Sequence, residues 1–197
     1  MSKTIEFFFD FGSPYSYLAH TQLPAMAAEA GATISYCPVG ILRLMELAGN
    51  RPTTLECKNK RRYAAADLGR WANLYGVPMG RNSHLREMKL EPLLQGVLSA
   101  ETMGVAEQYV SAVFKGIYAD TLDLGDPAVF VQVLTDAGLD GKAILEARES
   151  AKLASDIMKR TENAVERGVF GAPTFIVDGQ IYFGNDRLQF VKAALAA

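Results

Sequence analysis

This 197-residue chain has little cysteine, little histidine and little net charge. Its two cysteines, Cys37 and Cys57, form no Cys-x-x-Cys pair and keep no ligand spacing with its two histidines, His20 and His84. A disulfide scaffold and a zinc site are therefore not expected, and no metal ligands are predicted. A formal net charge of -2 gives no overall attraction to nucleic acid or to an anionic membrane. No apolar run reaches membrane-spanning length, and Met1–Asp10 carries charges where a signal peptide is apolar. The chain is expected to be soluble and cytoplasmic, with neither nucleic acid nor membrane as partner. Internal repeats and low-complexity linkers are also missing. What is plentiful is apolar surface: 49% of the residues are hydrophobic, enough for a substantial core.

Hydrophobic periodicity places a strand at Thr4–Asp10, a helix at Pro14–Glu29 stopped by Gly31, and a second strand at Thr33–Pro38, which together make a βαβ unit. From Ile41 to about Arg167 the pattern is helical. The spans are Ile41–Ala48, Cys57–Tyr75, Thr102–Tyr118, Pro127–Ala137 and Gly141–Arg167, punctuated at Gly76-x-Pro78, Asp126-Pro127 and Gly138. After Gly171-Ala172-Pro173 the period shortens again, and Thr174–Phe183 reads as a hairpin turning at Asp178-Gly179. Asp186 then opens a last apolar helix, Arg187–Ala197. This order predicts an α/β, thioredoxin-like fold in which a large all-helical insertion separates the βαβ and ββα halves. The expected division is a discontinuous thioredoxin-like domain, 1–40 and 168–197, and a helical insertion domain, 41–167.

The chemistry is expected to turn on Ser13. It lies in Phe9-Asp10-Phe11-Gly12-Ser13-Pro14-Tyr15-Ser16-Tyr17, where a strand passes through a short turn into a helix. Serine favours the N-cap, and proline is tolerated at the first helical position because its missing N–H had no partner there. The hydroxyl thus sits where free N–H groups and the helix dipole favour an anion. Ser13-x-x-Ser16 occupies the place of a thioredoxin's Cys-x-x-Cys. An architecture kept without its sulfurs points to a thiol supplied from outside.

The Ser13 segment, Gly49-Asn50-Arg51-Pro52, Lys60-Arg61-Arg62-Tyr63, Asp67–Trp71, Gly76-Val77-Pro78, Val169–Thr174 and Phe183–Arg187 occur in an order that resembles the 2-hydroxychromene-2-carboxylate isomerases. These are relatives of kappa-class glutathione transferases and of the DsbA-type thioredoxin fold. The resemblance implies glutathione as cofactor and a homodimer as the assembly. It also implies a cis Ala172-Pro173 bond, which would turn the Ala172 backbone toward the tripeptide. A free thiol titrates near about 8.5, and one hydrogen bond to a charged acceptor contributes roughly 1.5–3 kcal/mol, or about one to two pKa units. A Ser13 donor at the sulfur is therefore enough to bring the thiol into the physiological range.

Further residues follow from the same resemblance. Phe183, Gly184, Asn185 and Asp186 suit the glutamyl end of glutathione, with helix capping by Asp186 as the simpler role. Arg51, Lys58, Lys60, Arg61 and Arg62 face only Glu56 among charges between positions 51 and 62, a local +4. Of these, Lys60 is assigned to an anionic group, either the glycyl carboxylate or that of the substrate. Asn50 and His84 correspond to loop positions that touch the aromatic substrate, although Asn50 also reads as a helix C-cap. Arg43 stands where some isomerases place a lysine for the substrate carboxylate. Tyr15, with Phe11 and Trp71, would line an apolar half-pocket or simply fill the core.

These expectations add up to a glutathione-dependent cis/trans isomerase of an aromatic 2-hydroxy carboxylate. A kappa-like glutathione transferase and a non-catalytic thioredoxin-fold binding protein are the alternatives. A disulfide oxidoreductase is disfavoured, because Ser13 and Ser16 stand where sulfurs are needed.

Overall fold

The computed structural model of the protein describes residues 2–196. Strand β1, Thr4–Phe9, is a run of β-branched and aromatic residues that suits a pleated surface. Side chains alternate across a strand, so Phe7 and Phe9 point to one face and Phe8 to the other, and all three are buried. Both faces of the sheet are therefore covered. On the first, Phe7 stacks on Phe9 and Phe175 at centroid distances of 5.0 and 5.5 Å. On the second, Phe8 and Ile176 pack with Val39, Leu44, Ala164 and Val169.

Strand β2, Thr33–Pro38, runs parallel to β1, whereas β3, Thr174–Val177, and β4, Gln180–Phe183, form an antiparallel hairpin. The strand order is β2-β1-β3-β4, with β1 and β3 antiparallel. Asp178 and Gly179 take φ of 49° and 79°, the left-handed pair of the expected tight turn. The helix expected over Pro14–Glu29 is in fact two, α1 (Pro14–His20) and α2 (Leu23–Ala30). Pro24 has no N–H to give the carbonyl four residues back, so the ladder breaks there.

The segment between β2 and β3 is helical, as expected, but its divisions differ. It contains α3 (Ile41–Leu47), α4 (Thr53–Glu56), α5 (Lys58–Tyr75), α6 (Glu91–Thr102) and α7 (Ala106–Phe114), which runs into a π turn, Lys115–Ala119. Then come α8 (Pro127–Asp136), α9 (Gly141–Arg148) and α10 (Ala151–Glu166). After β4, a 3₁₀ turn at Asn185–Arg187 leads to α11, Leu188–Ala196. Helix α6 was not expected, since Pro92 and Gly96 weaken its pattern. Gly96 is there because a Cβ would lie 2.1 Å from the Tyr109 hydroxyl, which donates to Leu93 O at 2.8 Å. The helix predicted from Thr102 consequently begins only at Ala106. The one predicted over Gly141–Arg167 is interrupted at Ser150, whose hydroxyl accepts from Leu153 N and starts α10.

Phe114 on α7 meets Phe9 and Phe11 at 5.6 and 4.9 Å, so the sheet and the helical segment share a core. The architecture is the expected thioredoxin-like one, with helices between its two halves. Among the described residues no helix is long and apolar enough to cross a membrane, and no group of three or more His, Cys, Asp or Glu is placed to hold a metal ion.

Candidate active site

Ser13 is the N-cap of α1, in extended backbone with φ of -96° and ψ of 106°. Its Oγ accepts from Ser16 N at 3.2 Å and donates to Ala172 O at 3.3 Å. Pro14 has no N–H and Ser16 N is satisfied by Ser13, and the serine hydrogen is a donor that can turn to another acceptor. The Ala172–Pro173 bond is cis, as the resemblance implied. The turn itself is held from below: Ser13 N donates to Asp10 O at 3.0 Å, and Tyr118 Oη donates to Phe11 O at 2.8 Å. Asp10, buried, accepts from Gly12 N at 2.6 Å and from Ile41 N at 2.9 Å. Burial pushes its carboxyl up to about 6 against the pull of these two N–H groups.

The segment after β4 lies alongside. Gly184 N donates to Pro173 O at 2.9 Å, which ties it to the cis-proline loop. Asn185 is buried, its backbone carbonyl accepts from Tyr75 Oη at 3.2 Å, and its side-chain nitrogen has no hydrogen-bond partner among the described residues. Asp186 pairs with Arg187 rather than capping a helix; Gly184 is the N-cap of the 3₁₀ turn and α11 begins at Leu188. Phe183 rests on Phe170 with centroids 4.6 Å apart. Asn50 Nδ2 donates to Phe170 O at 2.8 Å, which brings the loop after α3 to the same place.

Helix α5 supplies the opposite wall. Lys60, Tyr63 and Asp67 recur at helical spacing and share one stripe. Asp67 accepts from Tyr15 Oη at 3.1 Å and from Tyr63 Oη at 3.4 Å, while Lys60 Nζ donates to Thr53 Oγ1 at 3.2 Å. Burial, and then the Asp67 charge, raise the Tyr15 phenol above its ordinary range. Trp71 and Tyr75 continue the stripe, with rings 5.4 Å apart. Phe11 is core, fully buried between Phe9 and Phe114. Sequence reasoning passed over Asp10, Asp67, Tyr75 and Phe170 as site residues. The four-residue recurrence of Asp67, Trp71 and Tyr75 was the available signal for two of them; the roles of Asp10 and Phe170 depend on contacts with distant chain segments.

Arg43 and His84 are not brought to this cluster, and Lys60 is joined to it by its place on α5 alone. Arg43 pairs with Glu46 at 2.8 Å and lines a cavity of about 410 Å³ that also borders Asp10 and Glu91. His84 lies 3.7 Å from Asp123 and lines another cavity, of about 420 Å³, beside Arg148. A larger cavity of about 1100 Å³ abuts Pro14. Its wall includes Leu68, Ala72, Val77 and Met79 with the cations Lys58, Arg62 and Arg81, and among the described residues no carboxylate.

Residues 4–196 match the DSBA-like thioredoxin domain, and the chain belongs to that family. It is 37% identical over 196 residues to a 2-hydroxychromene-2-carboxylate isomerase of Sphingobium xenophagum, covering 99% of each chain. It is 26% identical over 211 residues to glutathione S-transferase kappa 1 of Homo sapiens, covering 99% of this chain and 92% of that one. The solved structure of a 2-hydroxychromene-2-carboxylate isomerase superposes with a TM-score of 0.88 at 30% identity, over 98% of this chain and 94% of the other. Within the DSBA-like domains, this chain belongs with the 2-hydroxychromene-2-carboxylate isomerases, and it is an isomerase.

Proposed function

We propose that the protein is a glutathione-dependent cis/trans isomerase of an aromatic 2-hydroxy carboxylate, of the type that converts 2-hydroxychromene-2-carboxylate to trans-o-hydroxybenzylidenepyruvate. The observation that carries this reading is the Ser13 hydroxyl, kept at a helix start beside the cis Ala172–Pro173 bond with its hydrogen on a long 3.3 Å contact. Such a hydrogen is easily claimed by a stronger acceptor, and a thiolate is one.

The residues fit glutathione in a second respect. Asn185 has a buried amide nitrogen without a partner among the described residues, next to the Asp186 carboxylate and the Gly184 backbone, a mixture that matches the paired ammonium and carboxylate of a glutamyl group. In this reading Gly184, Asn185 and Asp186 hold that end, Ala172 and Pro173 present backbone, Phe183 covers it, and Lys60 meets a carboxylate. When bound, glutathione supplies a thiol nucleophile that adds reversibly to the conjugated substrate and frees a double bond to rotate. Ser13 stabilises the sulfur anion with a neutral donor, which lowers its basicity without the full quenching a cation beside it would bring. Asn50, bonded to Phe170, and Tyr15, bonded to Asp67, are assigned to the substrate from the glutathione side, outside the wall of the cavity beside Pro14. The cavity beside Pro14, apolar with cations and, among the described residues, no carboxylate in its wall, suits an aromatic anion. Arg43 and His84, which line other cavities, carry no role.

The test is isomerisation of 2-hydroxychromene-2-carboxylate by wild type and Ser13→Ala with catalytic glutathione, following total thiol. We expect thiol to be conserved and kcat to fall by about 10²–10³-fold in the variant, the usual cost of removing one donor from a developing anion. An unchanged Ser13→Ala rate defeats the reading. Stoichiometric loss of glutathione would favour the second reading, a transferase like the kappa-class relative.

A further inference from the structure

Asp10 has two oxygens and uses them on two different elements. Oδ1 accepts from Gly12 N in the Ser13 turn, and Oδ2 accepts from Ile41 N, the first residue of α3. At the far end of α3, Asn50 N donates to Met45 O, and Asn50 Nδ2 reaches Phe170 O. Two residues on, Ala172 O receives the Ser13 hydroxyl. Hydrogen bonds thus close a ring from Asp10 through α3, Asn50, the cis-proline loop and Ser13, back to Asp10 O through Ser13 N. The turn also leaves little room for a side chain at Gly12, where a Cβ would lie 2.8 Å from Leu90 Cδ1 and 3.1 Å from Asp10 Oδ1.

We infer that Asp10 is a positioning residue for the Ser13 hydroxyl, its carboxylate clamping the Ser13 turn to α3 and so setting the distance between Ser13 and the cis-proline loop. The inference rests on Ser13 acting as the thiolate donor. The clamp needs both oxygens as acceptors. An asparagine turns one acceptor into a donor that confronts a backbone N–H, and protonation weakens the arm at the oxygen that takes the proton. The ionisable groups around Asp10 are Glu91 at the start of α6, Tyr118 in the π turn, and Arg43 on α3, which lines the adjoining cavity. Helix α10 brings only Ala154, Ile157, Met158 and Thr161 to that cavity. Glu91 adds to the cost of charge on Asp10, and burial is the larger contribution.

The experiment combines backbone-amide NMR with kinetics on the full chain. In the wild type, the Gly12 and Ile41 amide resonances should titrate together with a midpoint near 6, and Asp10→Asn should abolish both transitions. In the isomerase assay, Asp10→Asn should lower kcat about ten- to a hundredfold while KM for glutathione changes no more than about twofold, because the donor is displaced and the binding groups are not. A residue that only stabilised the fold would leave kcat at the wild-type value in the folded fraction. Wild-type kcat in Asp10→Asn, or Gly12 and Ile41 amides that ignore pH, overturns the inference. If the wild type isomerises nothing, the functional reading fails, and the amide titration still decides whether Asp10 clamps the turn.

Discussion

Every side chain from Phe7 to Phe11 is buried, whereas α5, eighteen residues long, buries only Ala72. These two segments form opposite walls of the candidate site. On the sheet side the backbone is held from several directions at once, by Asp10, by Tyr118 and by the stacked phenylalanines. On the α5 side Tyr63 and Leu74 are 64% and 72% exposed, and the helix joins the rest through one stripe, Leu68, Trp71, Ala72 and Tyr75 on the core, with Asp67 bonded to Tyr15 and Tyr75 to Asn185. A hydroxyl that must meet a sulfur at hydrogen-bond distance belongs on the over-determined wall. Cations that only raise the local potential tolerate a looser one, since a long side chain makes up for small displacements of its helix.

The widest separation between the walls should appear in stability. Phe114→Ala, in the core beneath Ser13, is expected to cost about 3–5 kcal/mol, and Leu74→Ala on α5 less than about 0.5 kcal/mol, as measured by urea unfolding. A cost above about 1.5 kcal/mol for Leu74→Ala would show that α5 is packed against something its own chain does not provide.

Next in size is the buried carboxylate. Asp10 titrates near 6 in the folded protein against an ordinary 3.8, so the native state holds its proton more tightly than the unfolded chain does. The stability this gives is complete below about pH 4 and is lost as pH rises through about 6, a change of about 3 kcal/mol. Unfolding free energies of wild type and Asp10→Asn, compared between pH 4 and pH 7, should differ by a slope of that sign. No group on α5 is buried enough to give a comparable one; equal slopes in the two proteins would mean that the sheet-side turn is far wetter than its packing implies.

How much of each wall was legible in the sequence follows the same division. The strand periods, the Asp178-Gly179 turn and the Ser13 cap are local patterns, and each appears where the chain predicted it. The break at Pro24, the hidden helix over Glu91–Thr102 and the split at Ser150 are also local, but each depends on one residue outweighing its neighbours. Gly96 looked like a helix breaker and is instead the seat of the Tyr109 hydroxyl, a contact no window of sequence contains. Site membership was harder still. Motif position alone cannot show that Arg43 turns to Glu46 and His84 to Asp123, or that Asp10 reaches across to Ile41, because those depend on how distant elements pack.

Lys60 tests the looser wall directly. It is exposed and bonds only Thr53 among the described residues, so Lys60→Ala should leave the melting temperature in place. We expect KM for glutathione to rise about three- to tenfold at low salt, with kcat unchanged, and the difference to shrink as ionic strength screens the charge. A fall in kcat instead would mean that α5 positions the reacting groups, and the division of labour between the walls would not stand.

The smallest expected effect is also the one that separates an external thiol from an internal one, because each wall happens to carry one cysteine. Cys37 lies on β2 opposite Phe8, and burial pushes its thiol up to about 11, which leaves almost no thiolate at neutral pH. Cys57 is exposed at the start of α5. If glutathione supplies the nucleophile, the double variant Cys37→Ser, Cys57→Ser should isomerise 2-hydroxychromene-2-carboxylate within about twofold of wild type at saturating glutathione. Loss of activity in Cys57→Ser alone would put the nucleophile on the exposed wall, and Ser13 would then be holding a helix and a loop in place with no sulfur to stabilise. Retained activity in the double variant, together with its loss in Ser13→Ala, leaves glutathione sulfur as the only thiol the ordered wall can be serving.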